Sequence, residues 1–306
     1  MIEHKLSNVL LKPADHLKGH DELYAFCSSP LVYDETAEAL VVGEPTDFMT
    51  FLNACSTGKW AKYCGIHEVT LSLELSGDAC EVVIKGLPAG AAADAESTVE
   101  LDRLAVEPEQ GAHARVSATI DAASMDLVAF ELLPAGQTLL HAGSYAARVD
   151  EDRVRPVRIA LSTTTFKKEH YIVPNIELMR ASVTEDSGPI HDNFHMFVVD
   201  NGQTLDAEAL SDELVTVIPN ANVGGAGGFA RGMLAALDSK EPFTHVILMD
   251  DDVHVFPESI KRTYNLLALA SDEYADAFVN GAMLSVEQPT RLFEDVSHVL
   301  RSGKYA

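Results

Sequence analysis

The chain has 306 residues, with 47 acidic against 22 basic side chains and a formal charge of −25. A polyanion is repelled by nucleic acid and by anionic membrane surfaces, so neither is expected as a direct partner of this chain. At ~150 residues per domain the length suits two domains, and 47% apolar with 23% charged residues is an ordinary globular balance. The four cysteines, Cys27, Cys55, Cys64 and Cys80, form no C-x-x-C pair, so zinc is not expected and reduced thiols are. Met1-Ile2-Glu3-His4-Lys5 is mixed and polar, unlike a secretory leader, and no stretch approaches the ~20 apolar residues of a membrane span. The expected location is cytoplasmic.

Residues 1 to about 150 read as β structure. Glu68-Val69-Thr70-Leu71-Ser72-Leu73-Glu74-Leu75 alternates strictly, and Cys80 to Lys85 returns after a Ser76-Gly77-Asp78 turn. Further strands are expected over 97–101, 113–120, 127–132 and 137–146, each bounded by turn residues. Short strands at such spacing predict an antiparallel β-sandwich or jelly roll over 1–152. The charged, proline-containing run Asp150 to Pro156 reads as the linker.

Beyond it the period changes. Strands are expected at 157–162, 194–200, 214–219, 246–250 and 277–284. Helices are expected from Lys168 towards Ala181, limited or kinked by Pro174, over 229–237, and after Pro257. The alternation predicts an α/β, Rossmann-like, mostly parallel sheet over 153–306.

Three consecutive carboxylates, Asp250-Asp251-Asp252, end the apolar run Val246-Ile247-Leu248-Met249. They cannot be buried unpaired, and at a strand's carboxyl end a hard divalent cation carrying a phosphate is the expected partner. A solvated acidic turn is the alternative. Asp200 closes a neighbouring strand, and Asn222 with the glycines after it follows another, so these ends converge on one crevice. There a carboxylate can take a nucleoside N–H or hydroxyl, and Thr163 to Phe166, including Thr164, can wall a base. Arg231 is expected in the first turn of the following helix, where it either faces phosphate or is a surface charge. Gly225-Ala226-Gly227-Gly228-Phe229-Ala230 also matches the G-x-G-x-x-A dinucleotide pattern. These glycines do not follow the domain's first strand, so an NAD(P)-dependent oxidoreductase is the lesser reading.

The order of these parts resembles the GT-A nucleotide-sugar glycosyltransferases, with Asp250-Asp251-Asp252 as the D-x-D motif. The long run from Asn222 to Gly232, Met249 to Asp252, Asn280-Gly281-Ala282-Met283, and Thr50-Phe51-Leu52-Asn53-Ala54 with Trp60 are similar to galactofuranosyltransferases of actinobacterial galactan synthesis. The resemblance implies a UDP-sugar donor, UDP-galactofuranose, a glycan acceptor, Mn²⁺ or Mg²⁺, and an inverting displacement. It implies donor binding by Thr164, Phe166, Lys168, Asp200, Asn222, Gly224, Gly225, Arg231, Asp250 and Asp251. Asp250 and Asp252 would hold the metal, and Asn280 and Gly281 would face donor sugar and acceptor. Lys168 stands where the family typically has an arginine facing uracil. In the family the general base and a metal-binding histidine come later, which puts the base beyond Ala306; Asp295 and His298 lack the family's context and read as structural. Homo-oligomerisation, and attachment of a full-length protein to the inner face of the plasma membrane, are further expectations. A glycan-binding or assembly module with a non-catalytic transferase-like half is the alternative function.

Overall fold

The structure, a computed structural model, describes residues 1–186, 188–240 and 242–294. Its backbone contacts divide the chain into two compact units, Met1–Arg153 with Leu269–Ala306, and Val154–Ala268. No helix among the described residues is long and apolar enough to cross a membrane.

Residues 1–153 of the first unit contain two antiparallel sheets. Their strands in chain order are β1 (Ile2–Asn8), β2 (Val32–Asp34), β3 (Ala39–Val42), β4 (Thr46–Asp47), β5 (Glu68–Gly77), β6 (Cys80–Pro88), β7 (Val99–Val106), β8 (Ala114–Asp121), β9 (Met125–Pro134) and β10 (Thr138–Val149). One sheet runs β2-β3-β10-β5-β8 with β1 also paired to β10, and the other runs β4-β9-β6-β7. The strict alternation of β5 is used as expected. Val69, Leu71, Leu73 and Leu75 are buried, while Thr70 and Ser72 meet Thr119 and Ser117 of β8 through their hydroxyls at 3.1 and 2.9 Å. The Thr50 to Ala54 stretch is a structural knot. Buried Asn53 accepts from Leu10 N at 2.7 Å and donates to the Leu10 and Tyr24 carbonyls, while Thr50 Oγ1 also donates to Tyr24 O. Trp60 is buried on α1 (Thr57–Cys64). All four cysteines are free thiols, and burial pushes Cys64 up to about 11, which makes it a poor nucleophile.

The second unit alternates strands and helices: β11 (Ile159–Thr165), α2 (Glu169–Thr184), β12 (Phe194–Asp200), α3 (Ala207–Leu210), β13 (Val215–Pro219), α4 (Gly224–Leu237) and β14 (His245–Asp250). Helix α5 (Pro257–Leu269) follows. All strands are parallel, in the order β13-β12-β11-β14. The chain moves outward from β11 to β13 and then returns to the other side of β11, which makes the β11–β14 junction a topological switch point. Ile159 and Leu161 of β11 pack with Ile172, Ile176 and Met179 of α2 and Ile260, Tyr264 and Leu267 of α5. The opposite face carries α4 through glycines. A β-carbon on Gly228 would stand 2.7 Å from Thr164 Cβ, and one on Gly232 would overlap the Ser162 hydroxyl.

Three expectations are corrected. The glycine stretch is not a loop preceding a helix at 229, because α4 starts at Gly224 and contains all five glycines from 224 to 232. Pro174 does not end α2, which continues to Thr184. The fifth strand over 277–284 does not join the parallel sheet. Only Met283–Leu284 (β15) is extended, paired with Leu292–Glu294 (β16), while Phe278 is fully exposed with no neighbouring strand to bury it. Asp295 and His298 lie outside the described residues.

The α4 contact is testable by denaturant unfolding. Gly228→Ala is expected to lower stability by about 1–3 kcal/mol, the usual range for overpacking. Gly225→Ala, whose β-carbon meets open space, is expected to be neutral or stabilising by up to about 1 kcal/mol.

Candidate functional site

Four strand ends line one edge of the parallel sheet, namely Thr165, Asp200, Pro219 and Asp250. Thr164 lies within β11, beside Val199 on β12 and Asp250 on β14. Phe166, 47% exposed, follows it, with Lys167 Nζ 5.2 Å from the ring centre.

The aspartates of the triplet differ in burial. Asp251, in the turn after β14, is buried, while Asp250 and Asp252 are exposed. Lys168, just before α2, reaches across the switch point. Its Nζ lies 2.6 Å from Asp252 Oδ2 and 3.4 Å from Asp251 Oδ1. These bonds raise the Lys168 pKa above its ordinary value, and Lys168 holds the Asp252 carboxyl below its own. The ammonium thus points at carboxylates, not at an open base-facing wall. Behind it, buried Asn175 on α2 donates to Val253 O at 2.7 Å and pins the backbone that follows the triplet.

Asp200 is completely buried, and its carboxylate is engaged by its own loop. Oδ1 accepts from Gly202 N at 2.9 Å, and Oδ2 from Thr204 N and Leu205 N at 2.7 and 2.8 Å. Three amide donors satisfy a charge that burial alone would penalise. What Asp200 does directly is shape this loop.

Sequence reasoning missed Asn201 and Asn220. Asn201 is buried; its Nδ2 donates to Thr164 Oγ1 at 3.3 Å and Gly224 O at 3.1 Å, and its Oδ1 accepts from Asn220 Nδ2 at 2.9 Å. A polar residue directly after a strand-ending aspartate was the only signal that could have pointed to it. Asn222 Oδ1 accepts from Gly224 N at 3.1 Å. Gly224, at φ +77°, and Gly225 face open space. Arg231 is not in the first turn of α4, since the helix starts seven residues before it; it is an exposed mid-helix residue. The dinucleotide reading loses its loop, because the glycines belong to a helix and Gly228 and Gly232 are accounted for by packing on β11. Asn280 and Gly281 fall in the segment that groups with the first unit, both exposed, and Asn280 Nδ2 donates to Gly281 O at 3.3 Å.

Residues 162–289 match the family model for glycosyl transferase family 2. That stretch of the chain is similar to family 2 glycosyltransferases. Such a segment implies the GT-A fold, and the all-parallel sheet with its switch point at β11–β14 agrees with it. Over 94% of its length the chain is 26% identical to galactofuranosyltransferase GlfT2 of Mycolicibacterium smegmatis, covering 44% of that protein. It is 23% identical to GlfT2 of Mycobacterium tuberculosis over 84% of this chain and 40% of that one. A stretch of 106 residues, 32% of this chain and 33% of the other, is 40% identical to galactofuranosyltransferase GlfT1 of Mycobacterium tuberculosis. The chain therefore spans less than half the length of these relatives and is galactofuranosyltransferase-like in sequence.

The Lys168–Asp252 pair generates a pH prediction. A depressed carboxyl contributes stability above its unfolded value of ~3.9, lost as pH falls through the lower folded value. A raised lysine contributes below its unfolded ~10.4, lost as pH rises through the higher folded value. Lys168→Met is expected to move the Asp252 titration upward, read by carboxyl-carbon NMR between pH 2 and 6 at about half-unit steps. An unchanged Asp252 midpoint would show that the pair does not form in solution.

Proposed function

We propose that this chain is part of a metal-dependent, inverting glycosyltransferase that uses a UDP-sugar, UDP-galactofuranose, to extend a cell-surface glycan. The observation that carries the proposal is the acidic end of β14 beside β11 at the switch point, inside the segment matched to family 2 glycosyltransferases. The names of the similar proteins, all galactofuranosyltransferases, support the donor.

The donor set suits Mn²⁺ or Mg²⁺. Asp250 and Asp252 are exposed oxygen donors, and Asp252 already draws a cation, the Lys168 ammonium. Hard divalent ions are commonly bound by one or two carboxylates together with phosphate oxygens. When bound, such an ion supplies charge neutralisation to a departing diphosphate.

The chain's own residues then have separable tasks. Asp250 and Asp252 hold the cation. Lys168 adds positive charge beside them and competes with it for Asp252. Thr164 and Phe166 flank the base, and the Asp200 loop bounds the nucleoside side of the crevice. Gly224 and Gly225 open the amino end of α4, whose first amides have no intrahelical acceptor and whose cap, Val223, gives no side-chain bond. That end can receive phosphate oxygens. Arg231 lies further along the same helix and contributes long-range positive charge. Asn280 and Gly281 are assigned to donor sugar and acceptor, and the general base is assigned to no residue of this chain. The two antiparallel sheets of 1–152 are read as a β-sandwich that assists the transferase part of 153–306. A cytoplasmic location, inner-membrane attachment of a longer protein and homo-oligomerisation remain parts of the same proposal.

UDP with Mn²⁺ is expected to raise the thermal midpoint of the chain, since a ligand at 100 times its Kd adds about 2.7 kcal/mol. Asp252→Ala is expected to abolish the shift while leaving the ligand-free midpoint within a few degrees. A chain that shows no shift with any UDP-sugar and metal is not a donor-binding transferase.

A further inference from the structure

Helix α4 has an unusual entry. Its first residue has positive φ, its cap is the hydrophobic Val223, and its carbonyl–amide register at Gly224 is held from outside the helix. The holding group is Asn201. Its backbone N donates to Thr165 O at 2.9 Å, which seats it on the end of β11. Its side chain then bridges Thr164 Oγ1, Gly224 O and Asn220 Nδ2. Asn220 is fixed in turn, because its N donates to Asp200 O at 2.9 Å and its carbonyl accepts from Gln203 Nε2 at 3.1 Å. One carboxamide, 6% exposed, thus joins the ends of β11, β12 and β13 to the start of α4.

We infer that Asn201 is a positioning residue, one that sets where the amino end of α4 stands and thereby where a diphosphate is received. The inference rests on the proposed donor site. It follows from geometry that only an amide side chain supplies. Nδ2 must donate twice, to a hydroxyl and to a carbonyl, while Oδ1 accepts from Asn220. An aspartate would set a negative oxygen against Gly224 O and lose both donated bonds, and an alanine would leave the Gly224 carbonyl and the Asn220 carboxamide without these partners. Asn222 adds one bond to the same corner, accepting from Gly224 N, and β-carbons on glycines 224 and 225 would meet open space. Asn201 touches no base or sugar, and its bond to Thr164 Oγ1 is the longest of the three at 3.3 Å, so its effect should fall mainly on the phosphate part of the donor.

The test compares two probes on the full chain by calorimetry or ligand-observed NMR, namely UDP with Mn²⁺ and uridine alone. Asn201→Ala is expected to weaken UDP about 5- to 100-fold, the span for losing a hydrogen bond and stranding its partner, with uridine weakened several-fold less than UDP. Asn220→Ala, which removes one of the same bonds and carries the test if Asn201→Ala fails to fold, is expected to give the same pattern at about 3- to 10-fold. Restoration of UDP affinity is not expected in Asn201→Asp. Equal losses for UDP and uridine, or none for UDP, in the folded variants would overturn the positioning role while leaving the donor site intact. Failure of the unmodified chain to bind UDP would instead overturn the functional reading, and this inference with it.

Discussion

The second unit depends on how the corner after β12 is satisfied. A parallel sheet leaves main-chain groups unpaired where each strand ends, and a buried end must find partners locally. Here Asp200 and Asn201 provide them. The carboxylate collects three amides of its own loop, and the carboxamide collects a hydroxyl, a helix-entry carbonyl and another amide. With that corner rigid, α4 can approach β11 closely enough for Gly228 and Gly232 to be required. The crevice at the strand ends is a consequence of this packing, not a separate feature added to it.

A second constraint is electrostatic. Three adjacent carboxylates in a chain of charge −25 need positive charge nearby. The turn after β14 buries Asp251 and leaves Asp250 and Asp252 exposed, so the triplet is not one cluster of equivalent ligands. Lys168 takes the inner edge of that arrangement, bonded to Asp252 and near Asp251, and leaves Asp250 without it. The same lysine therefore stabilises the ligand-free site and must share Asp252 with any incoming cation. This is a different use of the position from a planar guanidinium stacked on a base.

Much of this was legible in the sequence because period and charge are local signals. The β5 alternation, the helix after Pro257 and the acidic ending of β14 all appear as expected. The errors have physical causes. Five glycines between 224 and 232 suggest a loop by propensity, yet helix packing against Thr164 and Ser162 overrides propensity and makes them the first turns of α4. The apolar pattern over 277–284 suggests a strand, but a strand needs a partner edge, and only its last two residues have one. Asn201 escaped because its importance lies in bonds to residues from 37 positions earlier to 23 later, which no window of sequence displays.

These two constraints act on opposite sides of β11. On the β12 side the bonds are between neutral or fully satisfied groups, buried and short-ranged, and they set geometry. On the β14 side the shortest bond, Lys168 to Asp252, is between exposed charges, which water and salt weaken and which an incoming ion can exchange. A binding crevice benefits from that division. The part that must not move is fixed by directional hydrogen bonds in the interior, whereas the part that must accept and release a charged ligand is held by interactions that solvent makes cheap to rearrange. Substitutions on the two sides should accordingly differ in kind, the first changing where a phosphate can sit and the second changing how readily a cation arrives beside it.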